Sequence, residues 1–306
     1  MLSLRPDPHP LDYDWRFSAN SSIFLSDLCA EHSVLCLGTP SVANVLENAL
    51  AKYLLIDRHP IQSVSNHSVI DINVSKPNIG CEFEYVVIDP PWYLDVYYRW
   101  LSWAANSCTS DGTILLSIWP DETRPSASRE KKELFNWIKE WGQLELFEKK
   151  LTYVTPEFEK KSFLDKTASK VRYGDLLVIK LISRPKLEPE IMSSTIWHRY
   201  IFDNYQLALK MHNEAQNNAG ISKIAEAEGW IWPSVSKRAH GRDKIQLWSS
   251  DNEVAMVSNP GNLKFALDKL IDSPNSISLF IDYPELLDWN LPKPPYKRTL
   301  KWIQNC

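Results

Sequence analysis

The sequence contains little that is typical of a metal site, a membrane span or a nucleic-acid-binding surface. Its five cysteines form no C-x-x-C pair and its seven histidines lack a ligand spacing such as H-x-x-x-H, so we expect no bound metal. No apolar run approaches the roughly 18 residues that a spanning helix requires. The formal net charge of −4 gives no overall basic field. We therefore expect a globular cytoplasmic protein without a membrane partner, in agreement with the absence of a signal peptide.

Glycine is scarce where an α/β fold that binds a dinucleotide would need it. The first predicted strand, Ser33–Gly38, is followed by Gly38-Thr39-Pro40-Ser41 instead of G-x-G-x-x-G. A single glycine argues against diphosphate binding but allows the backbone to approach a nucleoside without phosphates, such as S-adenosylmethionine. The alternative is an ordinary strand-to-helix turn in which Ser41 caps the helix.

The first 183 residues alternate strand-like and helix-like segments. The predicted strands are Ser33–Gly38, Tyr53–Asp57, Ser68–Val74, Glu84–Asp89, Gly112–Trp119, Leu144–Val154 and Val171–Ser183. The predicted helices are Ser41–Leu50, Asp95–Ala105 and Ala127–Trp141. The last two strands have no helical pattern between them, which favours an antiparallel pair. The alternation predicts an α/β fold with a doubly wound, mostly parallel, seven-stranded Rossmann-like sheet in residues 1–183.

The rest of the chain predicts a second, smaller domain. Residues 184–190 form a proline-bearing linker, and residues 191–306 predict an α+β domain of unknown role. Its predicted elements are helices at Ile201–Asn217, Ile221–Glu228 and Asn262–Asp272, a hairpin at Lys244–Ser258 and a strand at Ile277–Asp282. Within the first domain, Thr155–Lys170 is polar and lysine-rich, and is either a lid or substrate loop or disordered chain.

The most informative motif is Asp89-Pro90-Pro91-Trp92, which directly follows the apolar run 85–88. Proline cannot continue a strand, so the chain turns at the sheet edge where open α/β folds bind ligands. There the Asp89 carboxylate and the Pro90 carbonyl can accept the hydrogens of a planar amine whose ring lies on Trp92. Two such acceptors favour the pyramidal, nucleophilic form of the nitrogen. The motif therefore predicts catalytic residues of an amino-group methyltransferase.

Further side chains are expected at the same edge. Asp57 ends the second strand about 20 residues after Gly38, a spacing typical of an acid that binds ribose hydroxyls. Trp15 and Phe17 precede the first helix, and either close over the methionine end of a cofactor or form a hydrophobic staple. For Trp119, the alternative to a substrate contact is that Pro120 simply stops the fifth strand. The predicted substrate contacts are Tyr93, Trp119 and Arg172.

Taken together, these motifs resemble a known family. The stretches Trp15–Ser18, Val34–Glu47 (VLCLGTPSVANVLE) and Leu54–Arg58 (LLIDR), with the Asp89–Trp92 elbow, are similar to class I amino methyltransferases that act on adenine N6. Within that superfamily they resemble the group of the zinc-knuckle ribosomal-RNA N6-adenine methyltransferase and the elongation-factor lysine methyltransferase. The resemblance covers residues 12–183.

The resemblance implies S-adenosylmethionine as the cofactor. Gly38, Thr39, Pro40 and Asp57 would contact the cofactor, and the Asp89–Trp92 elbow would hold the amine. The chain departs from the narrower group in two ways: Trp92 replaces a phenylalanine that is common there, and no zinc-binding module is present.

Three functions stay open at this point. The first is methylation of adenine N6 in RNA or DNA, with the base flipped out of any duplex. The second is methylation of a protein lysine or amide nitrogen, which suits the acidic excess of residues 1–189. The third is a non-catalytic, methyltransferase-like binding protein. For nucleic acid, local phosphate contacts are expected from Lys149, Lys150, Lys160, Lys161, Lys166 and Lys170.

Overall fold

A computed structural model describes most of the chain. The described residues are 9–12, 15–59, 61, 63–156, 172–192, 195–211, 220–223 and 241–305. Within those ranges the chain forms two compact units. The first comprises residues 15–155 and 172–192, and the second comprises residues 9–12, 156 and those from 195 onward.

The first unit contains the predicted alternation of strands and helices. Its strands are β1 Val34–Leu37, β2 Tyr53–Asp57, β3 His67–Val69, β4 Phe83–Ile88, β5 Cys108–Ile118, β6 Gly142–Tyr153 and β7 Arg172–Leu181. Its helices are α1 Ala19–Asp27, α2 Pro40–Asn48, α3 Leu94–Ser107 and α4 Ala127–Ile138. Ser18 caps α1, as its side chain accepts a hydrogen bond from the Ser21 N–H.

These strands form one seven-stranded sheet in the order β3-β2-β1-β4-β5-β7-β6. The strands β1 to β5 pair in parallel, whereas β7 runs antiparallel to both β5 and β6. The predicted fold class is confirmed, including the antiparallel pair that follows from the missing helix between the two late strands.

Helices cover both faces of this sheet. Along β1, Leu35 and Leu37 join a buried cluster that includes α3 and α4, whereas Val34 and Cys36 join a cluster that includes α1 and α2. This is the period-two alternation of a strand, with both sets of side chains buried. The sequence therefore shows a continuous apolar run where the sheet has two covered faces.

The third strand is shorter than predicted. It ends at Val69, and the chain turns at Asp71, whose carboxylate accepts a hydrogen bond from the Asn73 N–H at 2.9 Å. Such a local side-chain bond offers the backbone an alternative to strand pairing. The prediction of a strand through Val74 is therefore wrong after residue 69.

A buried ion pair joins α4 to β7. The Lys131 Nζ lies 2.8 Å from Asp175 Oδ2 and 2.6 Å from Asp121 Oδ1. Asp175 is 2% exposed, and its other oxygen accepts the Lys149 backbone N–H at 2.7 Å. Since a buried carboxylate is costly without partners, Lys131 contributes to the fold mainly by compensating Asp175.

The second unit contains an antiparallel sheet in the order β10-β12-β11-β9-β8-β13. Its described strands are β8 Ile196–Phe202, β9 Tyr205–Lys210, β10 Ile221–Lys223, β11 Leu247–Ser249, β12 Val254–Val257 and β13 Thr299–Asn305. Its described helices are α5 Pro260–Asp272 and α6 Ser278–Asp282. The prediction of a smaller α+β domain is confirmed, as are the hairpin at Lys244–Ser258 and the helix at Asn262–Asp272.

Three element predictions in this unit need correction. The first part of the helix predicted over Ile201–Asn217 is instead the end of β8 and the strand β9, joined by a tight turn at Asp203, whose φ of 56° is left-handed. Residues 212–217 of that prediction lie outside the described part of the chain. The helix predicted from Ile221 begins as strand β10, and residues 224–228 lie outside the described part of the chain. The strand predicted over Ile277–Asp282 is helix α6, before which the Ser276 hydroxyl accepts the Ser278 N–H.

Among the residues that the structure describes, no helix combines the length and the hydropathy needed to cross a bilayer.

Candidate functional site

The strongest predicted site residues lie side by side in the first sheet, in one row of residues that runs across the neighbouring strands. In this row β1 pairs in parallel with β2 and β4, and Leu37 lies opposite Ile56 and Ile88. The carboxyl ends of these three strands therefore meet at one edge, which is where open α/β sheets bind ligands. The next residue along each strand lies at that edge: Gly38, Asp57 and Asp89.

Gly38 is required by the fold at this edge. Its φ is 63°, a left-handed value that side chains rarely adopt, and its N–H donates to the Ile56 carbonyl at 2.8 Å. A Cβ on Gly38 would lie 2.8 Å from the Trp100 ring, which is held by a 2.9 Å hydrogen bond from its indole N–H to Asn73 Oδ1. The Trp100 indole thus occupies the space beside Gly38 that a side chain would need.

We expect the variant Gly38→Ala to lower the free energy of unfolding by about 2 kcal/mol or more, since the left-handed backbone costs about 1 kcal/mol and the methyl group overpacks against Trp100. Gly80→Ala is the matched control, because Gly80 has a φ of 69° but no atom within 4 Å of an added Cβ. Chemical denaturation measures both variants. Equal losses would show that Trp100 does not restrict residue 38.

Thr39 and Pro40 lie directly beside Gly38, at the start of α2. The helix begins at Pro40 with Thr39 in the N-cap position, so Ser41 is not the cap. Thr39 is buried, and its hydroxyl lies 3.4 Å from the Val87 carbonyl. A contact from Thr39 to a ligand at this edge would therefore use its backbone.

Asp57 lies at the end of β2 with its carboxylate held in place. The residue is 7% exposed, and its Oδ1 accepts the His59 N–H at 2.9 Å. A carboxylate fixed in this way is suited to accept hydrogen bonds from the hydroxyl groups of a ribose.

The elbow turns the chain sharply from β4 into α3. Pro90 is buried, and the Pro91 carbonyl accepts the Tyr93 N–H at 2.6 Å. Tyr93 is half-buried and is the N-cap residue of α3. Asp89 is half-buried, and its Oδ1 accepts a 2.9 Å hydrogen bond from the Tyr153 hydroxyl. The sequence predicted the turn but not this partner.

Aromatic rings gather at the elbow around Tyr153. The Trp92 ring meets the Tyr153 ring edge-on, with centroids 6.0 Å apart at 80°, and the Phe17 ring lies 5.0 Å away at 32°. Phe17 reaches this place because residues 16–18 pair with the end of β6, where the Val154 N–H donates to the Arg16 carbonyl at 2.8 Å. The structure thus brings Phe17 to the elbow.

The other predicted contacts divide into two groups. Trp15 and Arg172 lie together, with the Arg172 guanidinium 5.3 Å from the Trp15 ring centroid. Trp119 is wholly buried, its indole N–H donates to the Ala127 carbonyl at 3.0 Å, and the Tyr97 ring packs against it. No part of Trp119 is exposed to a substrate, so its prediction as a substrate contact is corrected to a packing role.

Two of the lysines expected to bind phosphate have protein partners. The Lys149 Nζ pairs with Glu122 at 2.9 Å, and the Lys150 Nζ lies 4.6 Å from the Phe24 ring centroid. The other four lysines, and residues 157–170 of the predicted lid, lie outside the described residues. No group of metal-ligating side chains is arranged for a metal ion in the part of the chain that the structure describes.

Sequence reasoning missed Tyr153 and Ser117. Both are buried, and Ser117 follows Leu116, which pairs with Ile88, so that Ser117 stands in the same row as Asp89. The two hydroxyl groups are hydrogen-bonded to each other. Tyr153 ends strand β6, so the rule that drew attention to Asp89, a polar group at a strand end, applies to it as well.

No protein-family model matches the sequence, and no curated protein sequence matches it either. Solved structures do resemble it. The branched-chain polyamine synthase from Thermus thermophilus, bound to N4-aminopropylspermidine and 5'-methylthioadenosine, matches with 12% identity and a TM-score of 0.52 over 62% of this chain and 64% of the synthase. The chain thus spans less than two thirds of that protein.

Two methyltransferase structures match more weakly. The N-methyltransferase NodS from Bradyrhizobium japonicum, bound to S-adenosylhomocysteine, has 13% identity and a TM-score of 0.35 over 55% of this chain and 86% of that one. An O-methyltransferase from Thermotoga maritima has 10% identity and a TM-score of 0.38 over 58% and 73%. At sequence identities this low, a structural match is evidence about the fold alone. The fold assignment rests on the observed strand order β3-β2-β1-β4-β5-β7-β6 with β7 antiparallel, which is the order of the class I methyltransferase fold.

Proposed function

We propose that this chain is an S-adenosylmethionine-dependent N-methyltransferase that acts on an exocyclic amine, with adenine N6 in RNA or DNA as the favoured acceptor. The observation that carries the proposal is the shared row of Gly38, Asp57 and Asp89 at the carboxyl edge of a class I methyltransferase sheet. In this arrangement one acid serves the cofactor and the other serves the acceptor.

The residues at this edge fit a nucleoside cofactor. Asp57 offers an oriented carboxylate for the ribose hydroxyls, and the Gly38 turn brings the backbone close without a diphosphate-binding loop. When bound, S-adenosylmethionine supplies a methyl group on a sulfonium sulfur.

The elbow supplies the acceptor chemistry. Asp89 and the Pro90 carbonyl accept the hydrogens of the amine, which directs the nitrogen lone pair towards the methyl carbon. With the cofactor bound, the carbon–nitrogen bond would form as the carbon–sulfur bond breaks, S-adenosylhomocysteine would be the leaving group, and the nitrogen would release one proton to solvent. Trp92 lies beside Asp89 on the same turn, and a planar base can stack on its ring.

A second candidate is transfer of an aminopropyl group to a polyamine. It is favoured by the likeness to the polyamine synthase, whose bound molecules are an aminopropylated amine and methylthioadenosine. Here too an amine attacks a carbon on a sulfonium sulfur. The donor must contain both the transferred aminopropyl group and methylthioadenosine, which together make decarboxylated S-adenosylmethionine. The elbow would bind an adenine amine or a polyamine amine alike. The two functions are therefore distinguished by which donor and which acceptor the protein uses.

Labelled donors test both functions. We would incubate the protein with S-adenosylmethionine carrying a tritiated methyl group and with total RNA, DNA or protein in separate reactions. Parallel reactions contain spermidine as the acceptor and, as the donor, decarboxylated S-adenosylmethionine labelled in its aminopropyl group. The proposal predicts label in N6-methyladenine after nuclease digestion.

Other outcomes redirect or overturn the proposal. Label in lysine or amide nitrogen of a protein digest would make the acceptor a protein, and label in a polyamine would establish the second candidate. Absence of label from every acceptor would contradict an enzymatic role and leave a non-catalytic binding protein.

A further inference from the structure

We propose that Tyr153 is the positioning residue that fixes the Asp89 carboxylate for catalysis. This inference rests on the proposed function and adds to it a residue that no sequence motif marks. Tyr153 lies on β6 and Asp89 follows β4, so the contact joins two strands that are separated in the sheet by β5 and β7.

The hydrogen bonds run in one direction. The Tyr153 hydroxyl lies 2.9 Å from Asp89 Oδ1, and an ionised carboxylate accepts only, so the single phenolic proton points to Asp89. The hydrogen bond between Tyr153 and Ser117 must then be donated by the Ser117 hydroxyl. The result is a relay from Ser117 to Tyr153 to Asp89 that holds one carboxylate oxygen in a fixed direction.

Tyr153 carries its proton at neutral pH. Its side chain is buried, and burial together with the negative charge of Asp89 raises the pKa of the phenol well above its ordinary value. The residue is therefore a constant donor and does not exchange a proton with the acceptor amine.

Neighbouring residues confine the Tyr153 phenol to one position. A Cβ on Gly174, on the neighbouring strand β7, would lie 2.9 Å from Tyr153 Cε2 and 3.3 Å from its hydroxyl oxygen. Phe17 and Trp92 contact the ring from other directions. The backbone of Gly174 is extended within β7, so an alanine there adds no backbone strain. Its methyl group would instead crowd the Tyr153 phenol and the Ser117 hydroxyl, whose Oγ would lie 3.2 Å from the Cβ.

Three variants test the inference. Tyr153→Phe removes the donated hydrogen bond, and Gly174→Ala displaces the phenol while every hydroxyl group remains. Tyr97→Phe is the matched control, because Tyr97 is also a buried tyrosine whose hydroxyl donates, at 2.8 Å, to the Ser117 carbonyl instead of to Asp89.

The assay measures methyl transfer to whichever acceptor the labelled-donor reactions identify, together with the stoichiometry of S-adenosylhomocysteine binding. We expect kcat to fall about 10- to 100-fold in Tyr153→Phe and in Gly174→Ala, the range for one hydrogen bond to a charged group. Tyr97→Phe should stay within about twofold of the wild type, since its lost bond was to a neutral carbonyl. The KM for S-adenosylmethionine and the binding stoichiometry should stay unchanged in all three.

Failure of this inference and failure of the proposed function give different results. If Tyr153→Phe keeps the wild-type kcat while Asp89→Ala is inactive, the positioning role is wrong and the proposed function stands. A fall in stoichiometry that parallels the fall in rate assigns Tyr153 to folding and likewise overturns the inference. If the wild type transfers no methyl group to any acceptor, the proposed function fails and the inference fails with it.

Discussion

Replacement of Asp89 by alanine is expected to reduce methyl transfer about 100- to 1000-fold, the range for loss of one fixed group that stabilises a developing charge. The carboxylate is half-buried at the end of β4 and oriented by Tyr153. Without it, the amine loses the acceptor that favours its nucleophilic form. Binding of S-adenosylhomocysteine should persist, because Gly38 and Asp57 are unaltered.

Asp95→Ala is the control for this variant. Asp95 is an exposed carboxylate in the first turn of α3, six residues after Asp89, and we expect its loss to leave the transfer rate unchanged. Initial rates under saturating S-adenosylmethionine measure both variants, and thermal unfolding verifies that each is folded. Transfer by Asp89→Ala at the wild-type rate would remove Asp89 from the mechanism.

The variant Lys131→Met should have the largest effect on stability, a loss of about 3 kcal/mol in the free energy of unfolding. The methionine fills a similar volume but leaves Asp175, which is 2% exposed, without the ammonium group that lies 2.8 Å from it. A buried carboxylate that has lost its cation is one of the few single changes with so large a cost. Denaturant titration measures the loss.

Lys149→Met gives the comparison for an exposed ion pair in the same unit. The side chains of Lys149 and Glu122 are 57% and 68% exposed, so solvent screens their attraction and little measurable change is expected. A variant Lys131→Met as stable as Lys149→Met would show that Asp175 is compensated by its bond from the Lys149 N–H alone.

The fold of the first unit could be predicted because its local signals agree with one another. Each apolar run is bounded by a turn residue, and the absence of a helical pattern between β6 and β7 correctly indicated an antiparallel pair. The third strand shows the limit of such reasoning, since the Asp71 side chain ends it by a bond that a hydrophobicity pattern does not contain.

The second unit was harder to predict for a physical reason. The residues of β8 and β9 are buried almost throughout, so their apolar residues follow no clear period and resemble one buried helix. The informative signal was the pair Asp203-Asn204, a composition that suits the left-handed turn of a short hairpin.

The candidate site was most predictable at the strand ends. Gly38, Asp57 and Asp89 follow from one rule, that parallel strands present their carboxyl ends at one edge. Trp119 was placed wrongly, since whether a residue just after a strand faces the ligand or the core depends on the helix that packs there. Tyr153 comes from a strand far along the chain, and its contact with Asp89 depends on the tertiary fold.

Calorimetric titration with S-adenosylhomocysteine tests the central claim most directly, since it asks whether this edge binds the nucleoside product of methyl transfer without requiring the acceptor to be known. The wild type should bind one molecule per chain, and Asp89→Ala should bind equally well. Asp57→Asn, which keeps an oxygen for the His59 N–H but loses the charge, should bind about tenfold or more weakly. A wild type that does not bind, or binding that Asp57→Asn leaves unchanged, would contradict the account.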